Sequence, residues 1–566
     1  MTEDAAGEPI DHPAWPERTW LLMALGAAMG LAFHLLIRGG TPWSQTDDPS
    51  RLAGASFVAV SGVVFALSLE RLRWAWAATF AAAAGLVVGG IVLWNGTPSS
   101  WGSDEEARFL ACVLAVTLAL PLFQALRDEG RLRLPVRPVH AYLWSNLILG
   151  AAAGAFVVAT FLLTLLLSEL FKLIGLHFLS DLFGKAWFAW MLGCGALGTA
   201  LGILRDRDKV LGALQRVVRA VLSFLAPVLA LGLVLFVAAL PFTGLAPLWE
   251  TTKSTTPILL FCVLGAVILA NAAIGNAPDE EPSARALRWA AAALAAVMLP
   301  LAVVAALSTG QRIGQYGYTP DRLWAGVFVA VAAATATAYL VGLVRGRARW
   351  PDAVRRANVR VAAGISMLAL FLALPIVSFG AISTRDQVAR LSSGKVAPEK
   401  FDWAALRFDF GASGEQALRR LASGGTPAMR QRALAALKSE SRYTLQDELP
   451  PAQPLRLTVE AGRPVPEPLR VALQRDRSCG FDCHLVFPNQ REAILVSRSC
   501  DTCAPGVLLY TVTASGGWAQ LEATQSAASP GQGPPLEGRR VEIREVRKRQ
   551  IFVDGKPAGL VYDPPS

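Results

Sequence analysis

The chain carries little charge and lacks the usual motifs of soluble catalysis. Only 17% of its 566 residues are Asp, Glu, Lys or Arg, against about 25% in soluble globular chains. It has no P-loop, no G-x-S-x-G and no H-E-x-x-H pattern. The tail beyond about residue 383 holds one histidine, His484, and no clustered carboxylates, so a catalytic tail is not expected. Ionisable residues inside apolar runs mark ion and proton pathways, and they are nearly absent. His34 alone sits well inside such a run, where it is read as meeting a neighbouring helix; Glu169, Asn146 and Asn271 fall near run ends. The net charge is +10, yet no basic face with interleaved aromatics exists, which excludes nucleic acid as a partner. No cofactor is implied.

Long apolar runs fill the space that charge leaves. Hydrophobic residues make up 53% of the chain, concentrated before residue 383. A helix needs about 20 apolar residues to cross ~30 Å of hydrocarbon. Eleven runs qualify: 20–37, 52–69, 73–94, 108–126, 144–168, 186–204, 220–240, 256–274, 288–307, 323–344 and 361–382. The expected fold is an α-helical polytopic membrane bundle of about 11 transmembrane helices, followed by a C-terminal α+β, β-rich soluble domain. The first run lacks a basic leader and a small-residue cleavage site, so it reads as a membrane helix rather than a signal peptide. Ala and Gly are dense, as in Phe80 to Gly90, and small residues let membrane helices approach closely. Phe171 to Phe188 leaves room for an interfacial or re-entrant segment. Pro121, Pro227, Pro300 and Pro375 are positioned to kink their runs.

Basic residues give the runs a direction. Arg71 and Arg73 follow the second run, and Arg127, Arg131, Arg133 and Arg137 the fourth. Arg205, Arg207, Lys209, Arg216 and Arg219 follow the sixth, and Arg345 to Arg360 the tenth. The intervening loops are poor in Lys and Arg. Basic loops stay cytoplasmic, which places the N-terminus inside and the C-terminal domain outside a bacterial inner membrane. The expected division is a cytoplasmic segment 1–19, a membrane domain 20–382, a helical extracytoplasmic segment 383–449 and a β-rich domain 450–566. Within the last part the alternating runs are Leu455–Val459, Leu485–Phe487, Ala493–Val496, Val507–Thr513 and Val541–Val546. Arg549 to Tyr562 reads as a hairpin turning at Asp554-Gly555, which supplies the positive φ angles of a tight turn. Gln525 to Gly538, rich in Ser, Pro and Gly, reads as a loop.

Seven cysteines divide by location. Cys112, Cys194 and Cys262 lie in membrane runs as packing residues. Cys479, Cys483, Cys500 and Cys503 lie in the tail as C-x3-C and C-x2-C. Two disulfides suit an oxidising compartment, and a four-thiolate zinc site suits a reducing one. The outward orientation favours disulfides. A hairpin centred on Asn489-Gln490 puts Cys479 opposite Cys500, and connectivity stays open among three pairings.

Two polar loops are candidate ligand sites. Arg312-Ile-Gly-Gln-Tyr-Gly-Tyr-Thr-Pro-Asp-Arg322 offers Arg312, Tyr316 and Arg322 to an anionic headgroup or solute; alternatively Gly317 and Thr319-Pro320 cap helices and the others anchor the interface. Leu240 to Thr252 offers Trp249 and Glu250 on the same two terms. These two segments, with Asn271-Ala-Ala, resemble a bacterial family of multi-pass membrane proteins known only as a domain of unknown function. The resemblance runs from about His140 to Tyr339, and Leu406-Arg-Phe-Asp-Phe-Gly411 with Gly414 extends it weakly into the tail. It implies an inner-membrane location and carries no activity or catalytic residue.

Three function classes follow. The leading one is a non-catalytic envelope protein, anchored in the lipid bilayer, whose tail binds or senses an envelope protein partner. A transporter, flippase or channel is the alternative. A membrane-embedded enzyme acting on a lipid-linked substrate comes third.

Overall fold

The computed structural model describes residues 15, 17–39, 46–98, 101–130, 135–245, 255–281, 284–442, 445, 457–459, 464–476, 482–498, 506–513, 516–521, 549–553 and 556–562. The chain divides into two units. The first is residues 1–389 with 409–415; the second is 390–408 with 416–566.

The first unit is a helical membrane bundle. Its helices are α1 (Glu17–Ile37), α2 (Pro49–Ser68), α3 (Trp74–Asn95), α4 (Ser103–Glu129), α5 (Val136–Leu173) and the short α6 (Phe178–Phe183). They continue with α7 (Ala186–Arg205), α8 (Asp208–Thr243), α9 (Thr255–Ile274), α10 (Arg285–Tyr316), α11 (Pro320–Gly346) and α12 (Trp350–Ala373). Among the described residues ten stretches are long and apolar enough to cross a membrane, the last being Pro320–Ala373. That stretch is broken at Arg347, whose φ of 49° ends α11, and α12 packs back against α11. α6 occupies the place where the sequence left room for an interfacial segment.

Local chemistry sets the helix ends. The Asp48 side chain accepts from Ser50 N at 2.9 Å ahead of Pro49, the usual Asx cap with proline at the first position. Thr319 caps α11 the same way, ahead of Pro320. Gly130 closes α4 in the left-handed region at φ 65°. Pro121, Pro227 and Pro300 lie inside α4, α8 and α10. Pro375 does not kink a span. It lies in the break after α12, and Leu374 before it is extended at ψ 149°, as a pre-proline residue prefers.

Small residues bring the helices together. An added Cβ on Gly26 would lie 2.3 Å from the Cys194 carbonyl oxygen, and one on Gly198 would lie 2.0 Å from that of Leu22. α1 and α7 therefore touch backbone to backbone. Gly85 and Gly89 on α3 face Ser61 and Ala53 on α2 in the same manner. The largest core joins α8, α9, α10 and α11, with Leu294, Met298, Leu301 and Tyr339 fully buried. A second core joins α3, α4, α11 and α12 around the buried Cys112. His34 is half-buried on α1.

Residues 409–415 return to this unit after the excursion 390–408. Phe410 is buried there. A Cβ on Gly380 would lie 2.6 Å from the Phe410 carbonyl oxygen, and one on Gly411 would lie 2.8 Å from Glu105 Oε1. Helices α13 (Phe379–Ser392) and α15 (Gly411–Gly424) each begin in the first unit and end in the second.

The second unit holds α14 (Trp403–Phe408), α16 (Pro427–Lys438), α17 (Glu467–Arg475) and seven strands. β1 (Leu457–Val459), β2 (Asp482–Val486), β3 (Glu492–Arg498), β4 (Gly506–Val512) and β5 (Trp518–Leu521) form one sheet in sequence order. β1 pairs with β2 in parallel, and the other pairs are antiparallel. Leu469 and Leu473 of α17 bury against Cys483, Leu485, Leu495 and Tyr510. Neither α17 nor β5 carries a strong sequence signal, since both are short. β6 (Arg549–Val553) and β7 (Lys556–Tyr562) pair separately, with Val553 opposite Lys556; the Asp554-Gly555 turn read from the sequence lies outside the described residues. The Val541–Val546 run and the 525–538 loop lie outside the described residues.

Register corrects one reading. Asp482 pairs with Arg498 and Cys483 with Ser497, which centres the β2–β3 hairpin on Gln490. The expected centre lay between Asn489 and Gln490. The Asn489 side chain accepts from Arg491 N and donates to Glu492, a local turn that lengthens the loop and moves the register by one.

Candidate functional site

Polar side chains inside an apolar bundle identify where the chain spends hydrogen-bonding capacity. Three clusters close helix ends. The last carbonyls of α2, at Ala66, Leu67 and Ser68, accept from Arg205, Gln124 and Arg127 respectively. Helix-end carbonyls lack intrahelical donors, and hydrocarbon supplies none, so these side chains complete the helix. Arg205 also pairs with Glu70 at 2.7 Å, and Arg18 lies between Glu70 and Asp206.

The second cluster centres on Arg355 of α12, which is 2% exposed. Its guanidinium donates to the carbonyls of Ile274, Gly275 and Ala277, to Glu281 and to Asp352. The third sits at the start of α4. Asp104 accepts from Arg108 at 2.6 Å, from Trp324 Nε1 at 3.3 Å and from Gly380 N at 3.2 Å. These groups are largely paired with one another, apart from the Nε atoms of Arg18 and Arg108, and read as structural.

The Arg312–Arg322 segment acts largely as a helix junction. Arg322 donates to the Gly317 carbonyl at 2.8 Å and stacks on the Tyr316 ring, 5.4 Å from its centroid. Gly317 ends α10 at φ 78°. Asp386 and Gln387 of α13 bind the backbone of Tyr316 and Tyr318. Arg312 is half-buried on the last turn of α10 and has no hydrogen bond or ion pair among the described residues. Trp249 and Glu250 lie outside the described residues. So do Cys479, Cys500 and Cys503, while Cys483 is buried on β2 beside the half-buried His484.

A cavity of about 1650 Å³ runs through the bundle, walled by α2, α3, α4, α5, α8, α9, α11 and α12. Valine, leucine, isoleucine, phenylalanine and alanine dominate its walls. On α11 the lining extends from Asp321 to Thr335, roughly 21 Å at 1.5 Å per residue. Polar groups collect toward its ends. Ser103, Thr256, Asp321 and Trp324 lie at the helix starts of α4, α9 and α11. His140, Asn146, Asn271 and Asn358 lie at the opposite level, near the starts of α5 and α12 and the end of α9. Among the described residues no arginine or lysine lines the cavity. Phe261 and Leu264 of α9 line it and are also exposed, so one wall is open.

Asn271 and Asn358 belong to a buried network. Asn271 donates to Tyr339 Oη at 2.6 Å and to the Val267 carbonyl at 2.8 Å, and accepts from Asn358 Nδ2 at 2.6 Å. Asn146 and Gln124 exchange hydrogen bonds. Sequence reading had passed over His140 and Asn358. His140 precedes the apolar run of α5, and Asn358 falls among the arginines of α12, so each resembled loop sequence.

A family model described as a domain of unknown function (DUF4153) matches residues 52–421. The chain belongs to this family. The DUF4153 match takes in every residue that lines the cavity, from Ala59 to Ile365. It also takes in Phe410 and Gly411, so it begins earlier and ends later than the stretch whose resemblance was plain in the sequence. No curated protein and no solved structure matches the chain.

Proposed function

We propose that this protein is a lipid-handling protein of the bacterial inner membrane, which holds the apolar chain of a lipid or lipid-linked molecule inside its bundle. The cavity carries the reading. Its volume is about 1650 Å³, and its open side exposes that space to the apolar molecules of the bilayer. Apolar walls offer water few partners, and the volume exceeds the ~300–1,000 Å³ of ordinary small-molecule pockets. An acyl or isoprenoid chain suits both the walls and the roughly 21 Å length. The open side at Phe261 and Leu264 supports lateral entry from the bilayer. These features support the reading as a transporter or flippase of lipid-linked molecules over the reading as a solid anchor.

The orientation belongs to the same proposal. The basic loops support a cytoplasmic N-terminus and a periplasmic tail. Paired as disulfides, the four tail cysteines would suit an oxidising compartment. A partner-binding role for the tail is compatible with this placement.

The test fills the cavity. Gly150 lines it, and an added Cβ there meets nothing within 4 Å. Gly150→Trp is expected to fold normally, judged by gel filtration and thermal melting, and to co-purify with about tenfold less lipid by native mass spectrometry. Unchanged lipid content in the folded variant would overturn the proposal.

A further inference from the structure

We infer that the cavity end formed by His140, Asn271 and Asn358 is a subsite for an uncharged headgroup bearing a hydroxyl. The inference rests on the cavity reading above and adds a ligand chemistry to it.

His140 is 6% exposed and lines the cavity. Its Nδ1 lies 3.0 Å from the Val136 carbonyl. A carbonyl only accepts, so Nδ1 carries the proton, and in the neutral ring Nε2 is an acceptor. Nε2 has no partner among the described residues. Asn358 donates through Nδ2 to Asn271 and is also hydrogen-bonded to Tyr339, so its polar groups belong to that network. Val139 and Val359, the neighbours of His140 and Asn358, pack in one core cluster. His140 Nε2 is thus an unfilled acceptor on the lining of an apolar cavity.

Its complement is a donor. A phosphate offers acceptors at neutral pH and calls for cations, and among the described residues no arginine or lysine lines the cavity. An ammonium would need an anion, and the lining carboxylate, Asp321, sits at the other end. An uncharged hydroxyl donates its single proton to His140 Nε2 without burying charge. Diacylglycerol and long-chain alcohols have this chemistry.

Binding to the purified full-length protein in mixed micelles separates the outcomes. Three probes share their chains: dioleoylglycerol, its acetyl ester and dioleoyl phosphatidate. Dioleoylglycerol is expected to bind about tenfold tighter than the other two, the worth of one well-formed hydrogen bond. His140→Phe is expected to bring dioleoylglycerol and the ester to within about twofold. His140→Gln, which keeps an acceptor, is expected to restore part of the preference. Equal binding of alcohol and ester by the native protein, with Gly150→Trp blocking both, would overturn the headgroup inference and leave the cavity reading standing. Phosphatidate binding tightest would overturn it as well. No binding by any probe, or binding that Gly150→Trp leaves unchanged, would overturn both.

Discussion

Gly198→Val is expected to abolish the folded protein. The substituted Cβ would meet the Leu22 carbonyl oxygen at 2.0 Å, and neither atom is at the end of a side chain that can turn away. Relief requires α1 to move off α7 along its length. Gly26, Gly30 and Gly202 make equally close backbone approaches across the same pair, so separation at one level opens the others. Overpacking of a core costs ~1–3 kcal/mol where neighbours can yield; a helix pair locked by backbone contact stands at or above that range. In a membrane, close packing is the main attraction between such helices, so nothing replaces it. Gly154→Val is the control, because an added Cβ there meets nothing within 4 Å. Detergent extraction and gel filtration should give a monodisperse peak for Gly154→Val and none for Gly198→Val. Equal behaviour of the two would refute the close approach of α1 and α7.

Arg355→Ala is expected to produce the second-largest loss. Arg355 donates to three carbonyls at the end of α9 and to two carboxylates while 2% exposed. Removing one partner of a buried charged set costs about 3–5 kcal/mol, because the acceptors stay buried without a donor. Arg355→Lys should recover little. Lysine is a point charge and cannot reproduce the guanidinium fork. Thermal melting should fall sharply for both variants, and hydrogen exchange at residues 274–281 should quicken. Full recovery with lysine would show that charge alone, not the fork, holds this junction.

The sequence made the membrane class legible because apolar length is a one-dimensional signal. Arg127 and Arg205 were legible only as loop charge. Their role as caps for the carbonyls of α2 depends on helices that are distant in sequence, so no local pattern announces it. Asp104 is similar: it reads as a loop acid, yet it is buried against Arg108 and Trp324. In the 312–322 segment Gly317 and Thr319-Pro320 gave the right helix ends, because capping is local. The cavity was invisible for the opposite reason. Its wall residues are the same aliphatic types that face lipid, and only the packing of helices distant in sequence distinguishes the two. His140 and Asn358, the groups that give it a chemical character, lay outside the apolar runs where polar residues attract notice.

The most direct test of the account is an experimental density map of the full-length protein in lipid nanodiscs. The account predicts elongated, non-protein density between Trp324 and His140, continuous along the α11 wall from Asp321 to Thr335. A collapsed bundle with α5 packed on α9, or a channel of discrete waters in that space, would contradict it.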